Sequence, residues 1–271
     1  MREGLAGMVR FEPRRFRSTV PYYARYRVPY PDRLIEFVAR HCGLERGDRV
    51  LDLGCGPGPL AVAFARLGAA VTAMDPEPEM LAAAKERAQE TGVTLTLLEG
   101  SSYDLGPALG RFRLVTMGRS FHWMDREETL SALDGLIEPG GAVVLFSDRR
   151  IEGAGANWRQ LLGRLRREFA PARAAERHRR RTELEAHEAV LLRSVFPRLE
   201  RHSVISRRML SPDEIVGRVY SLSDTSPEAL GDRQPAFEKK LRAGLARLSR
   251  KHELSEILEV NALIARRSQM L

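Results

Sequence analysis

Residues 50–58 read VLDLGCGPG. An apolar strand, RVLDL at 49–53, runs straight into Gly54-x-Gly56-x-Gly58, and the helical stretch PLAVAFARLG begins at the next residue. Glycines at this spacing let the backbone turn tightly and bring a ligand against main-chain amides, where a Cβ would collide. Asp75 follows 17 residues after Gly58, just past the next strand, in AMDPEPEM. A carboxylate there is placed to accept hydrogen bonds from both ribose hydroxyls of an adenosine. Strand, loop, helix and second acid together weigh against a tight turn that binds nothing.

Two features choose between nucleotides. The dinucleotide fingerprint wants a small residue where this chain has Pro59. Asp52 stands two residues before the first glycine; a carboxylate so close repels a pyrophosphate and welcomes an ammonium group. S-adenosylmethionine carries an α-ammonium and a sulfonium and no phosphate, so electrostatics favour it over NAD.

Outward from the loop, strands and helices alternate. RVLDL, AAVTAM (69–74), TLTLL (94–98), FRLVTM (112–117) and GAVVLF (141–146) read as strands. PLAVAFARLG, PEMLAAAKERAQETG and DREETLSALDGLIEPG read as helices, the last ended by Pro139-Gly140-Gly141. Such alternation predicts βαβ units and a parallel sheet buried on both faces. DRLIEFVARHCG (32–43) has helical spacing, with Asp32 as N-cap and Gly43 as stop. Residues 155–195 read as polar helix, VFPRLERHSVISRRML as a strand, SPDEIVGRVYSL as a helix capped by Ser211, and EILEVNALIARR as a final strand. The expected organisation is one domain: an arm and helix over 1–44, a cofactor-binding core over 45–150, and a helical insertion with final strands over 151–271 covering the acceptor pocket.

Composition sets limits. Of 271 residues, 43% are hydrophobic and 30% charged, as in ordinary globular domains. The longest apolar stretches, such as AVVLF at 142–146, are too short for a bilayer, and MREGLAGMVRFEPRRF lacks the apolar core of a secretory signal. A cytoplasmic protein without membrane association is expected. Cys42 and Cys55 provide neither a disulfide framework nor zinc-ligand spacing, so no metal is expected. The formal charge of +8 is mostly arginine, clustered in 159–181 with HRRR at 178–181. That cluster reads either as a phosphate-binding face or, with Glu168 and Glu176 interspersed, as a solvated helix face. Phe169 is the one Phe, Tyr or Trp within it, too few for a stacking platform, so nucleic acid is not the expected partner.

VLDLGCGPG, DPEPEM, SFHW (120–123), LIEPGGAVVLF and YRVPYP (26–31) together resemble class I S-adenosylmethionine-dependent methyltransferases, in particular small-molecule enzymes of the trans-aconitate and farnesoic-acid type. The resemblance implies a Rossmann-like α/β fold, a seven-stranded sheet of order 3-2-1-4-5-7-6 with strand seven antiparallel and helices on both faces. It also implies that Gly54, Cys55, Gly56 and Gly58 run along the cofactor, with Asp52 near its amino group. Asp75, beside Pro76, would take the ribose hydroxyls, and Met80 would pack on the adenine. Ser102 and Tyr103 replace the alanine and glutamate often found near the adenine, so the adenine amino contact passes to backbone or to Asp104. Arg119 and Ser120 would border the methionine part, and Arg27 would pair with its carboxylate.

Past strand four, His122 and Trp123 would face the donor methyl. Trp123 offers a π face to a sulfonium or shapes an apolar pocket, and His122 suits proton transfer at neutral pH. The alternatives are that Trp123 fills core and that His122 only bonds a neighbour. An already ionised carboxylate or enol acceptor needs alignment rather than a base. PYYARYRVPYP (21–31) holds four tyrosines and three prolines; it reads as a lid, with Tyr23, Tyr26 and Tyr30 on the acceptor. The expected activity is methyl transfer to a small-molecule carboxylate, hydroxyl or activated carbon, leaving S-adenosylhomocysteine. The alternatives are an RNA or protein methyltransferase using 159–181, and a non-catalytic cofactor-binding regulator. Oligomeric state is not encoded in any of these features.

Overall fold

The computed structural model describes residues 19–151, 157–172, 175, 185–249 and 254–268. The basic N-terminal segment, Glu176 and HRRR at 178–181 lie outside the described residues. Seven strands form one sheet of order β3-β2-β1-β4-β5-β7-β6. They are β1 (Arg49–Leu53), β2 (Ala70–Asp75), β3 (Thr96–Glu99), β4 (Phe112–Gly118), β5 (Ile137–Arg150), β6 (Arg198–Met209) and β7 (Ser255–Arg266). β1 to β5 are parallel, and β7 runs antiparallel to both β5 and β6. The expected order and the antiparallel strand are both present.

Alternate side chains of each strand enter opposite layers, because the pleat has a period of two. Val50 joins one apolar cluster with α2 (Asp32–His41) and α3 (Pro59–Arg66), through Leu34, Val38, Leu60 and Phe64. Leu51 and Leu53 join the other, with α5 (Arg126–Asp134), through Leu130 and Leu133. α4 (Pro78–Thr91) lies on the α3 side, with Leu81 in the first cluster. β1 therefore lies where the strand order reverses, and ligands of open α/β sheets bind beyond the strand ends there.

The later chain builds a third layer. α6 (Asn157–Phe169), α8 (Pro212–Tyr220) and α9 (Gln234–Ser249) share a core of Trp158, Leu162, Ile215, Val219, Phe237 and Leu241. The short α7 (His187–Leu192) packs on the α5 side through Val190 and Leu191. Ser211 starts α8 with a reciprocal capping box: its hydroxyl accepts from Glu214 N, and the Glu214 carboxylate accepts from Ser211 N at 2.7 Å.

Three expectations change. The arm, in which the sequence marked no helix before residue 32, contains α1 (Val20–Tyr26), with Pro21 in the first turn, where its missing N–H costs nothing. α2 begins with Asp32 inside the helix after Pro31, so Asp32 is not the cap. α5 stops at Asp134 with Gly135 as its C-cap; Pro139 to Gly141 instead lie within β5. A Cβ on Gly141 would come within 2.7 Å of the Arg113 carbonyl, so the close pairing of β4 and β5 needs glycine there. Nor is the arginine stretch simply solvated: Arg159 pairs with the buried Glu256, and Arg166 Nε lies 3.1 Å from Asp224.

Candidate cofactor and acceptor site

The β1–α3 turn carries three left-handed glycines, Gly54, Gly56 and Gly58, at φ of 67°, 55° and 71°. Each has its own surroundings. A Cβ on Gly54 would sit 2.6 Å from Ser120 Cβ, so the loop rests directly on the end of β4. A Cβ on Gly58 would meet Ala84 Cβ at 3.0 Å, where α3 and α4 pack. On Gly56 the nearest atom would be Met80 Sδ at 4.0 Å, leaving open space on that side of the turn.

The two acids support this turn differently. Asp52, 1% exposed, accepts from Thr116 Oγ1 at 2.9 Å and from Ala61 N at 3.0 Å. It ties β1 to β4 and to the first turn of α3, so the chain already engages both oxygens. Asp75 Oδ2 accepts from Gly56 N at 2.8 Å and Oδ1 from Glu77 N at 3.0 Å. A carboxylate offers about four lone-pair sites, so each oxygen can accept once more, as a ribose diol requires. Burial raises Asp52 to about 7 and Asp75 to about 6, against hydrogen bonds that lower both. A cation in the crevice favours their ionised forms. Affinity for S-adenosylmethionine is therefore expected to strengthen as pH rises from about 5 through 7 and to level off above about 8; calorimetry that finds it flat would show that neither acid feels the ligand.

The other residues expected to touch the cofactor surround this turn. Met80 is buried beside the loop, and Pro76 is half-buried. Ser102 and Tyr103 lie in a single turn with the Tyr103 ring 60% exposed. Asp104 Oδ2 accepts from Ser101 N and Oγ, which commits it to capping that turn. The Cys55 thiol is buried and donates to the Gly56 carbonyl, and burial holds its pKa well above that of an ordinary thiol. Cys55 therefore contributes backbone to the loop rather than reactive sulfur. Ser120 Oγ donates to the Leu53 carbonyl at 2.8 Å, tying β4 to β1.

Arg119 is the one non-glycine with positive φ among the described residues, at 59°. Its side chain turns beneath the arm. Nε lies 2.5 Å from Asp148 Oδ1, Nη2 donates to the Val28 carbonyl at 2.9 Å, and the guanidinium lies over the Tyr30 ring. Burial pushes Asp148 up, yet Arg119 and Arg27 outweigh it and hold the carboxyl down at about 2. The Tyr30 hydroxyl seats at Gly118, where a Cβ would come within 2.6 Å of it.

The arm docks on α8 by shape. Tyr22 meets Tyr220 edge-on with ring centroids 5.2 Å apart, and the Tyr26 ring occupies the place of a missing side chain at Gly217. A Cβ there would lie 2.3 Å from the ring. Gly217→Leu is expected to evict Tyr26, speed proteolysis within 19–31 and raise the cofactor Kd about tenfold, with an overpacking cost of about 1–3 kcal/mol. Unchanged proteolysis would show that the arm is held elsewhere.

Under the arm lies a cleft of ≈ 540 Å³ whose walls bring together Tyr23, Tyr26, Arg27, Tyr30 and Arg119. His122 and Trp123 are not among its walls. They form a single turn with Phe121 on the α5 side of the sheet, where His122 and His187 stack with centroids 6.5 Å apart. Burial, and then Arg126, lower the pKa of His187 and favour its neutral form. The sequence reading missed His187, Asp148 and Gly217, because each matters only through a contact distant in the chain. Among the described residues, the donors close enough to share a metal ion are His41, Glu200 and His202, on α2 and β6 away from the glycine turn. Arg266 already holds Glu200 at 2.6 Å.

With this geometry in view, residues 50–141 match the family model described as a methyltransferase domain. Residues 50–141 thus carry the signature of a methyltransferase domain. Its fold is that of S-adenosylmethionine-dependent methyltransferases, and S-adenosylmethionine is the cofactor of that class. An uncharacterised methyltransferase of Mycobacterium bovis is 28% identical over 209 residues, covering 77% of this chain and 76% of the relative. A ubiquinone biosynthesis O-methyltransferase of Xanthomonas euvesicatoria is 38% identical over 122 residues, 44% of this chain and 51% of the relative. The crystal structure of an S-adenosylmethionine-dependent methyltransferase from Thiobacillus denitrificans, in complex with S-adenosylhomocysteine, superposes with a TM-score of 0.53. It is 18% identical, over 94% of this chain and 99% of that one. The methyltransferase domain thus spans the glycine turn, Asp75 and the end of β4, while the arm and the third layer lie outside residues 50–141.

Proposed function

We propose that the chain moves a methyl group from S-adenosylmethionine to an oxygen or activated carbon of a small-molecule acceptor. The observation that carries this reading is the open side of Gly56 facing Met80 beside a doubly bonded Asp75. That pairing offers a backbone path for the ligand and two acceptor oxygens for a ribose. The donor supplies an electrophilic methyl on its sulfonium, so catalysis rests on holding acceptor and donor in line. Gly54, Gly56 and Gly58 shape the cofactor crevice, with Asp52 bracing the turn from below. Met80, Pro76, Ser102 and Tyr103 bound the adenine end; Arg119, Ser120 and Arg27 bound the methionine end. The arm residues Tyr23, Tyr26 and Tyr30 exclude water over the cleft.

His122 and Trp123 are proposed to border the acceptor from the opposite side of β4, with His187 setting the orientation of the His122 ring. The size of the cleft under the arm, ≈ 540 Å³, favours a small acceptor over a macromolecule. Two internally paired arginines, Arg159 and Arg166, weaken the reading of 159–181 as a nucleic-acid face. No helix among the described residues is long and apolar enough to cross a membrane.

The direct test is methylation of a metabolite extract with isotope-labelled donor and mass identification of the labelled product. Label in RNA or protein rather than in small molecules would overturn the proposed acceptor class. With the product known, His122→Ala is expected to lower kcat about 10²-fold if His122 removes a proton, and less if it only shapes the pocket. Unchanged kcat and KM would remove His122 from the site.

A further inference from the structure

The cleft beneath the arm is strongly cationic. Arg119 and Arg218 are matched there by Asp148 and Glu256. Its walls also carry Arg25, Arg27, Arg66, Arg87 and Arg208, against the carboxylates of Asp32 and Glu214. Among the described residues, no ion pair to a carboxylate joins Arg27, Arg66 or Arg208. Asp148 does not cancel the excess, because its charge is shared among Arg119, Arg27 and Arg218. Arg208 and Arg218 repel each other, which adds to burial in lowering the pKa of Arg218.

Arg25 and Arg27 lie over the rings of Tyr26 and Tyr23, 5.3 and 5.0 Å from the centroids. Stacking of this kind orders a guanidinium and leaves its edge N–H groups free to donate. Arg66 comes from the end of α3 and Arg208 from the end of β6. Cations converging from separate elements on one concave surface focus positive potential into it. The donor brings one carboxylate, at its methionine end, whereas Arg66 lies on the last turn of α3, far along the helix from the glycine turn. The excess charge therefore exceeds what the donor needs.

We propose that Arg66 and Arg208, with Arg27 at the donor side, form a subsite for an oxyanion of the methyl acceptor, a phosphate or carboxylate group set apart from the atom that receives the methyl. This rests on the methyltransferase reading and adds the charge of its substrate. Guanidinium forks match both oxyanions and bind them bidentately. The subsite would select acidic acceptors and hold the far end of the molecule, so that its methyl-accepting atom reaches the end of β4.

The test uses the full chain saturated with S-adenosylhomocysteine, titrated by calorimetry at constant ionic strength with inorganic phosphate, with succinate and with uncharged succinamide. Phosphate or succinate is expected to bind, and succinamide is not. Whichever anion binds more tightly identifies the group. Arg66→Gln with Arg208→Gln is expected to weaken that anion at least about tenfold while leaving S-adenosylhomocysteine affinity within about twofold, which also shows that the variant folds. Equal binding of succinamide, equal anion binding by the double variant, or binding of neither anion would overturn the subsite. Absence of S-adenosylhomocysteine binding by the unaltered protein would instead bring down the methyltransferase reading, and the subsite with it.

Discussion

Gly56→Ala is expected to fold and to lose the cofactor, whereas Gly54→Ala is expected to lose both. The two glycines share a left-handed backbone, and an alanine there costs about 1–2 kcal/mol at either position. Their surroundings separate them. At Gly54 the new methyl would stand 2.6 Å from Ser120 Cβ, and the Ser120 hydroxyl is anchored to the Leu53 carbonyl. The end of β4 cannot yield without breaking that bond, so overpacking adds about 1–3 kcal/mol. Together that is a large part of a typical domain's stability. At Gly56 the nearest atom is the flexible Met80 thioether at 4.0 Å, so the free protein accommodates the methyl. The bound ligand does not, because close approach to backbone is what the glycine permits. Thermal melts and S-adenosylhomocysteine calorimetry on both variants give the comparison. Gly56→Ala should keep most of its melting temperature and lose affinity about 100-fold or more, the equivalent of about 2.7 kcal/mol. Affinity within threefold of the unaltered protein would mean that the ligand does not run along this turn.

Asp75→Asn is expected to weaken the cofactor about 100-fold and at the same time to flatten the protein's dependence on pH. Each carboxylate oxygen of Asp75 already accepts one backbone N–H, from Gly56 and from Glu77. An asparagine keeps one acceptor and turns the other into a donor, which then faces an N–H. The ribose also loses a charged acceptor, and hydrogen bonds to charged groups contribute about 1.5–3 kcal/mol. The pH effect has the opposite sign. Burial raises Asp75 from an ordinary carboxyl pKa to about 6, so the folded state holds its proton more tightly than the unfolded chain. Stability present below about 4 is therefore lost as pH rises through 6. Asp52, raised to about 7, extends the same loss to neutral pH. In the free protein, denaturant midpoints should fall between pH 4 and 7, and less steeply in the Asn variant. A midpoint that rises over this window would show that neither acid is desolvated as the geometry requires.

The Gly217 and His122 variants probe weaker couplings, and their relation to the first two is informative. If the arm is a lid, its loss acts on Kd through exposure of the crevice. If His122 transfers a proton, its loss acts on kcat and leaves Kd alone. The two effects should therefore be separable in one set of titrations.

The cofactor half of the molecule was legible because its signals are short in sequence. β1 spans the same residues in the sequence reading and in the structure, since an apolar run that stops at glycine has few alternatives. Ser211 was recognisable as a cap because its partner, Glu214, lies one turn away. The spacing from glycine turn to Asp75 encodes one βαβ unit, and that unit brings the acid back to the turn. Alternation of the first five strands predicted a parallel sheet, and the family resemblance provided its strand order. Helix α9 escaped notice because its apolar spacing serves a third core formed with α6 and α8, from distant parts of the chain. Helix α1 was hidden by its tyrosines, which favour a helix only weakly, and by Pro29 and Pro31 just after it; α8 provides a seat for Tyr26 at Gly217.

The acceptor side belongs to contacts far apart in the chain. Arg119 and Asp148 are 29 residues apart, and Arg119 and Val28 are 91 apart; no periodicity could pair them. Tyr30 and His122 look like neighbours of one pocket when read along the chain. Strand β4 separates them, because Arg119 takes a left-handed turn toward the arm and the following residues wind to the opposite face. Local chemistry thus specifies where adenosine would lie, since one loop and one acid suffice for it. The proposed place and charge of the acceptor rest on the sheet bringing α1, α3, β6 and α8 to one cleft, a convergence that exists only once the apolar layers have packed.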